Sequence, residues 1–214
     1  GALTIGAGFA FTGGATASVP SSKSIAGTIS AAGAGVLDFG TSGTTVTASA
    51  TLGGAGTGQI TLAATSLASG ATLTLGAGST APIVTGAITS AATGNLTVNT
   101  TATLASTIAS VGPANIGTLT ITNVGTGGLT FSGAVGAGGT PLTSVVFAGT
   151  ISSTGTVTFA GGLFATDMTV NAGVGNYGIA LNGGGTVTNA VTFSNAGALT
   201  IGAGFAFTGG ATAS

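Results

Sequence analysis

Cysteine, histidine, arginine, glutamate and tryptophan are all missing from this 214-residue chain, and only Lys23, Asp38 and Asp167 carry charged side chains. Each absence closes off a class of function. Without cysteine there is no disulfide, no thiolate metal site and no thiol nucleophile, which permits export without demanding it. Glycoside hydrolysis needs two carboxylates flanking one bond. The two here stand far apart in the sequence and have no histidine or arginine to support them. Calcium sites gather several carboxylate and carbonyl oxygens, so neither calcium nor any other cofactor is expected. A single lysine cannot build a phosphate-neutralising surface, and Lys23 follows serine, unlike the lysine of a phosphate loop. The chain is therefore read as a non-enzyme, with no cofactor, no metal and no nucleic-acid partner.

The mean hydropathy is +0.74, yet glycine, threonine, serine or asparagine interrupts every apolar run well short of the ~18 residues of a membrane helix. A transmembrane barrel carries aromatic girdles and polar loops. This chain has one tyrosine, Tyr177, and almost chargeless loops. Disorder goes with low hydrophobicity and high net charge, whereas 43% of these residues are apolar and the net charge is −1. No secretion signal opens the sequence and it does not start with Met, which is the expectation for a stretch from inside a longer protein.

What the chain does contain is 43 glycines, 42 threonines and a recurring tetrapeptide of any residue, apolar, usually Thr, apolar. It reads ALTI at 2–5, QITL at 59–62, TLTL at 72–75, NLTV at 95–98, TLTI at 118–121, GLTF at 128–131, TVTF at 156–159, DMTV at 167–170, AVTF at 190–193 and ALTI at 198–201. Period-two alternation of this kind predicts short strands with one buried face, and threonine with β-branched apolars suits them. Gly-containing turns separate the strands, and no segment holds a helical period.

Spacing carries the topology. Leu73, Leu96 and Leu119 are 23 apart, Val146, Met168 and Val191 are 22 and 23 apart, and Val157, Ile179 and Ile201 are 22 apart. With Ile83 or Val84 and Ile108 near the midpoints of the first series, the chain beats at about 11 residues within a longer beat of about 22. The predicted fold is all-β, a parallel β-solenoid of about 22 residues per rung. Tandem antiparallel β-sandwiches are the alternative. The double beat, the scarcity of two-residue hairpin turns and the lack of charge for an outer sandwich face favour the solenoid. The beat stretches across GAVGAGGTPLTS at 133–144, predicted to bulge from one rung, and residues 6–45 are poorly phased.

Residues 1–18, GALTIGAGFAFTGGATAS, recur letter for letter at 197–214. The sequence therefore reads as one repeat unit, 1–196, followed by the start of the next identical unit, 197–214. Isolated solenoids need polar caps over their open ends. Here Leu3, Ile5, Phe9 and Phe11 recur as Leu199, Ile201, Phe205 and Phe207, so both ends are expected to be self-association surfaces.

Asp167 is expected to face solvent if Met168 and Val170 point inward, with Asp38 and Lys23 likewise solvated. Asn95 and Asn99 match the glycosylation sequon, as chance allows in a threonine-rich chain. T-x-T triplets begin at Thr45, Thr72, Thr101, Thr118, Thr156 and Thr186, but their uneven spacing does not follow the beat, which counts against an ice-binding face. The 133–144 loop and the stretch near Tyr177 are the candidates for an exposed binding site.

TFSGAVGAGG, VVFAGTISSTGTVTFAGGLF and NGGGTVTNAVTFSNAGALTIGAGF resemble the Gly/Thr-rich strand repeats of giant bacterial surface proteins, the filamentous haemagglutinin-like adhesins and autotransporter-like passengers. The resemblance covers most of residues 58–214. It implies export to the cell surface, an extended solenoid shaft, and adhesion, cell-to-cell linkage or surface coating. The near absence of charge departs from the acidic, calcium-using members and favours a shaft over an adhesive tip. The expected function is a structural unit of a long extracellular fibre whose partner is itself, end to end and laterally. Binding of surface glycans or another cell is the alternative, and an ice-binding solenoid comes after it.

Overall fold

The computed structural model describes residues 1–6, 8–17, 21–40, 42–56, 58–112 and 116–214. These residues form a parallel β-solenoid of about nine turns, with equivalent positions about 23 residues apart and no helix among the described residues. Each turn has three faces. In the first turn Ala2–Ile5 lies on the first face, Phe9–Phe11 on the second and Ala15–Thr16 on the third. Ser22–Ala31 then runs round a corner to supply the next first and second faces. Thr44–Gly53 repeats this one turn on.

Among the described residues every ladder between strands is parallel, as expected of rungs. The one antiparallel bridge among the described residues joins Ala137 to Thr140. On the second face Ile29, Leu52, Leu75, Val98, Ile121, Phe147, Val170 and Phe193 stack in register. On the third face Leu62, Thr85, Ile108, Phe131, Phe159, Leu181 and Ile201 do the same. Most of these apolar residues are fully buried and make one continuous core. The phenyl rings of Phe131 and Phe159 lie nearly parallel, 4.9 Å apart, a spacing set by the turn-to-turn distance of about 4.8 Å. Two inward polar residues bond backbone groups that the ladders leave over. Ser106 Oγ accepts from the Ile83 N–H at 3.0 Å, and the Thr100 hydroxyl donates to the Ala81 carbonyl at 2.7 Å.

The strand periods differ from the expected ones in two places. Val145, not Val146, is the inward partner of Leu119 and Met168, while Val146 faces out opposite Thr120 and Thr169. Val157 and Ile179 continue to Leu199, with Ile201 following Leu181. That turn is two residues shorter, so an even beat of 22 overshoots it by one inward position. The expected bulge is smaller than the whole 133–144 stretch. Val135 is buried and bridges Val111 and Leu163, so it completes the first face. Only the hairpin around Ala137–Thr140, with Gly138 to Pro141 exposed, projects.

At one corner Gly133, Gly161 and Gly183 stack backbone on backbone. A methyl group at Gly161 would sit 2.2 Å from the Gly133 carbonyl carbon, and one at Gly183 would sit 2.2 Å from that of Gly161. Gly139, in the hairpin, has open space where its Cβ would be. Gly161→Ala is therefore expected to destabilise by about 1–3 kcal/mol, the cost of overpacking. Gly139→Ala should stay within about 0.5 kcal/mol of the parent, as a surface change does. Thermal unfolding of the two variants beside the parent checks the difference.

Candidate self-association site at the ends of the solenoid

Both ends expose what the middle buries. At the amino-terminal end the first turn encloses an open cavity of about 380 Å³, walled by Leu3, Ile5, Phe9, Phe11 and Ala15 and floored by Phe39. Phe9 is 54% exposed, whereas Ile29, stacked on it from the second turn, is fully buried. At the other end Ile201 is 46% exposed, and Leu199, Phe205 and Phe207 are only half buried. Among the described residues the first three strands pair only with the second turn, and the last three only with the turn before them. Each end thus joins an apolar interior to an open strand edge, the combination that recruits another strand. The fold brings Leu3, Ile5, Phe9 and Phe11 together at one end and their four duplicates at the other. The two sets lie at opposite ends of the stack.

The charged residues fall differently. Lys23, expected in solvent, is 1% exposed and takes an inward position on the first face between Leu3 and Thr44. Its ammonium group donates to the Ser42 carbonyl at 2.9 Å and the Ser42 hydroxyl at 2.6 Å, while the neighbouring Thr44 Oγ1 is buried without a hydrogen-bond partner among the described residues. The long apolar stem of lysine fills the column and its head is bound at the wall. The alternation S-K-S-I, with Ile25 fully buried two positions on, is the sequence signal for that placement. Asp167 does face outward, as expected from Met168 and Val170, and accepts from Asn189 at 2.6 Å. Asp38 is half buried and accepts from the Gly40 N–H at 2.7 Å. The two carboxylates stand on different faces six turns apart and share no site.

Tyr177, expected in an exposed binding stretch, is instead fully buried. Its ring stacks on Phe147 with centroids 5.8 Å apart, and its hydroxyl donates to the Asn171 carbonyl. The stretch just before Tyr177 is nevertheless exposed at Asn171, Ala172, Asn176 and above all Val174, which is 80% exposed, so it stands as a surface candidate beside the hairpin around Ala137–Thr140. Asn95, of the first sequon, is engaged between turns, its Oδ1 accepting from the Thr118 N–H at 3.0 Å. No group of three or more potential metal ligands occurs among the described residues, and no helix among them is long and apolar enough to cross a membrane.

A feature that triplet spacing misses is the alignment of single threonines. On the second face Thr28, Thr51, Thr74, Thr97 and Thr120 form an outward rank, interrupted by Val146 and resumed by Thr169. The third face carries Thr61, Val84, Thr107, Thr130, Thr158, Ala180 and Thr200. Many of these are the third letters of the recurring tetrapeptides, and aligning the tetrapeptides instead of the triplets finds them. Compared with known proteins, the chain matches no family model, no curated protein and no solved structure.

Burial pushes the Tyr177 hydroxyl up to about 12 from its ordinary 10.0. Because it is the only tyrosine, the phenolate absorbance of the folded chain is expected to rise with a midpoint near 12, and near 10 in denaturant. The folded state then holds the proton more tightly, so this group's contribution to stability is full below pH 10 and is lost as pH rises towards 12. Tyr177→Phe should remove that component. A native midpoint near 10 would contradict the buried placement.

Proposed function

We propose that this chain is a structural unit of a long extracellular or cell-surface filament, joined end to end with further copies of itself and bundling laterally. The observation that carries the reading is the eighteen-residue duplication, which sets the same apolar residues at opposite ends of the stack, each set beside a free strand edge. Repeats of this kind build a solenoid by laying one unit on the next. Two further features support it. One cation and two carboxylates leave little of the charge repulsion that keeps ordinary proteins apart. The resemblance to surface-protein repeats points to a shaft outside the cell. No chemistry beyond backbone pairing and apolar burial is required of such a part.

The isolated 214-residue chain is expected to elongate with rising concentration, seen as growing rods in electron micrographs and as increasing mass in sedimentation. Phe9→Lys or Phe207→Lys puts a charge in one end and should raise the concentration for elongation about tenfold or more, since burying a phenylalanine contributes roughly 1.5–3 kcal/mol. The Thr97→Lys change on a side face should not. A parent chain that stays monomeric at high concentration would sink the reading.

The registered threonine ranks favour a second reading, in which a flat hydroxylated face orders water against ice. Thermal hysteresis in the parent, abolished by Thr97→Lys, is the expected sign, and its absence rejects it.

A further inference from the structure

The two copies of the duplicated segment stand on different faces. Ala2–Ile5 lies on the first face, against Ser22–Ala31. Its copy Leu199–Ile201 lies on the third, against Gly178–Leu181. Phe9–Phe11 is on the second face and its copy Phe205–Phe207 on the first, paired with Gly185–Val187. Ala15–Thr16 is on the third and its copy Ala211–Ala213 on the second, paired with Val191–Phe193. All three strands shift by one face in the same sense. The 196-residue period therefore spans eight and two-thirds turns, two faces beyond eight whole turns.

The local shape is nevertheless the same in both places. Gly8 and its copy Gly204 both have positive φ, at 45° and 77°, and Gly14 and Gly210 stand at 88° and 91°. The rings of Phe9 and Phe11 are 4.7 Å apart at 40°, and those of Phe205 and Phe207 are 4.9 Å apart at 44°. Residues 7 and 18 lie outside the described residues. The amino-terminal copy pairs only with the turn that follows it, the carboxy-terminal copy only with the turn before it. In consecutive 196-residue units one and the same segment takes both roles, pairing with the turn before it as residues 197–214 do and with the turn after it as residues 1–18 do.

We infer that successive 196-residue units in the filament are rotated by one third of a turn about the axis, giving a three-unit screw. This rests on the filament reading above. Three units make twenty-six whole turns, so the surface pattern recurs only after about 125 Å, with a step of about 42 Å per unit at about 4.8 Å per turn.

The rotation decides what the filament presents to its neighbours. The second-face hydroxyl rank ends at Thr192 and Thr212. Thr212 is the copy of Thr16, which opens the third-face rank through Asp38 and Thr61. That rank ends at Thr200, the copy of Thr4, which opens a first-face rank through Ser24, Thr45, Ser66 and Thr89. The hydroxyl ranks thus join across units along one side of the filament, and the Ala137–Thr140 hairpin projects from each of three sides in turn. The lateral partner is a second copy of the filament, met equivalently on three sides, so bundles should grow as three-dimensional cables and not as single sheets.

Diffraction from aligned filaments of a chain carrying six consecutive units tests this. The turn spacing puts the expected meridional reflection at about 42 Å, with off-meridional layer lines at about 125 Å and about 62 Å. The meridional reflection without those layer lines overturns the rotation and leaves the filament reading intact. Separate particles with no common axial period overturn both.

Discussion

Backbone hydrogen bonds running along the axis, from each turn to the next, are the interaction on which the rest of the molecule depends. In a solenoid every strand is templated by the one before it, and parallel pairing fixes the register so that like positions stack. That register turns a weak local pattern, one apolar residue on either side of a threonine, into continuous apolar columns inside and hydroxyl ranks outside. It also explains why phenylalanines recur in stacks. A ring at Phe131 is met by a ring at Phe159 one turn on, at nearly the turn spacing. A one-residue slip would send the whole inward set to the solvent side.

The same constraint accounts for the glycine. Where strands turn a corner, successive backbones pass within van der Waals distance, and at the Gly133–Gly161–Gly183 corner no side chain fits. Corners tightened in this way keep the cross-section narrow and the core continuous, with no helix among the described residues. Charge is unnecessary for such a fold. The one lysine shows how far the interior tolerates a polar head when its stem can occupy an apolar column and its ammonium finds the Ser42 oxygens at the wall.

Much of this is legible in the sequence, and what is not has a physical reason. The tetrapeptides identify strands because alternation reports directly on the pleat. The 23-residue interval from Leu73 to Leu96 to Leu119 is the observed register. Where corners vary in length an average period misleads, hence the one-residue error at Val146 and the two-residue error at Ile201. The early region reads as unphased because its turns are short and its third-face strands brief, Ala15–Thr16 and Leu37–Asp38. Residue type misleads at Lys23 and Tyr177. Their burial depends on which face a strand presents and on a partner supplied by a distant stretch, such as Phe147 under Tyr177. The end residues are identifiable from their exact duplication, but the face on which each copy falls follows from the number of corners between them, which spacing alone does not count.

The most direct test of registered parallel stacking is a set of spin-label distances along one outward rank. With labels in Thr28→Cys paired with Thr97→Cys or with Thr192→Cys, positions three and seven turns apart, the separations should be about 14 and about 34 Å, growing by about 4.8 Å per turn. Distances that fail to grow with turn number, or that alternate as antiparallel strands fold back on each other, would contradict the solenoid.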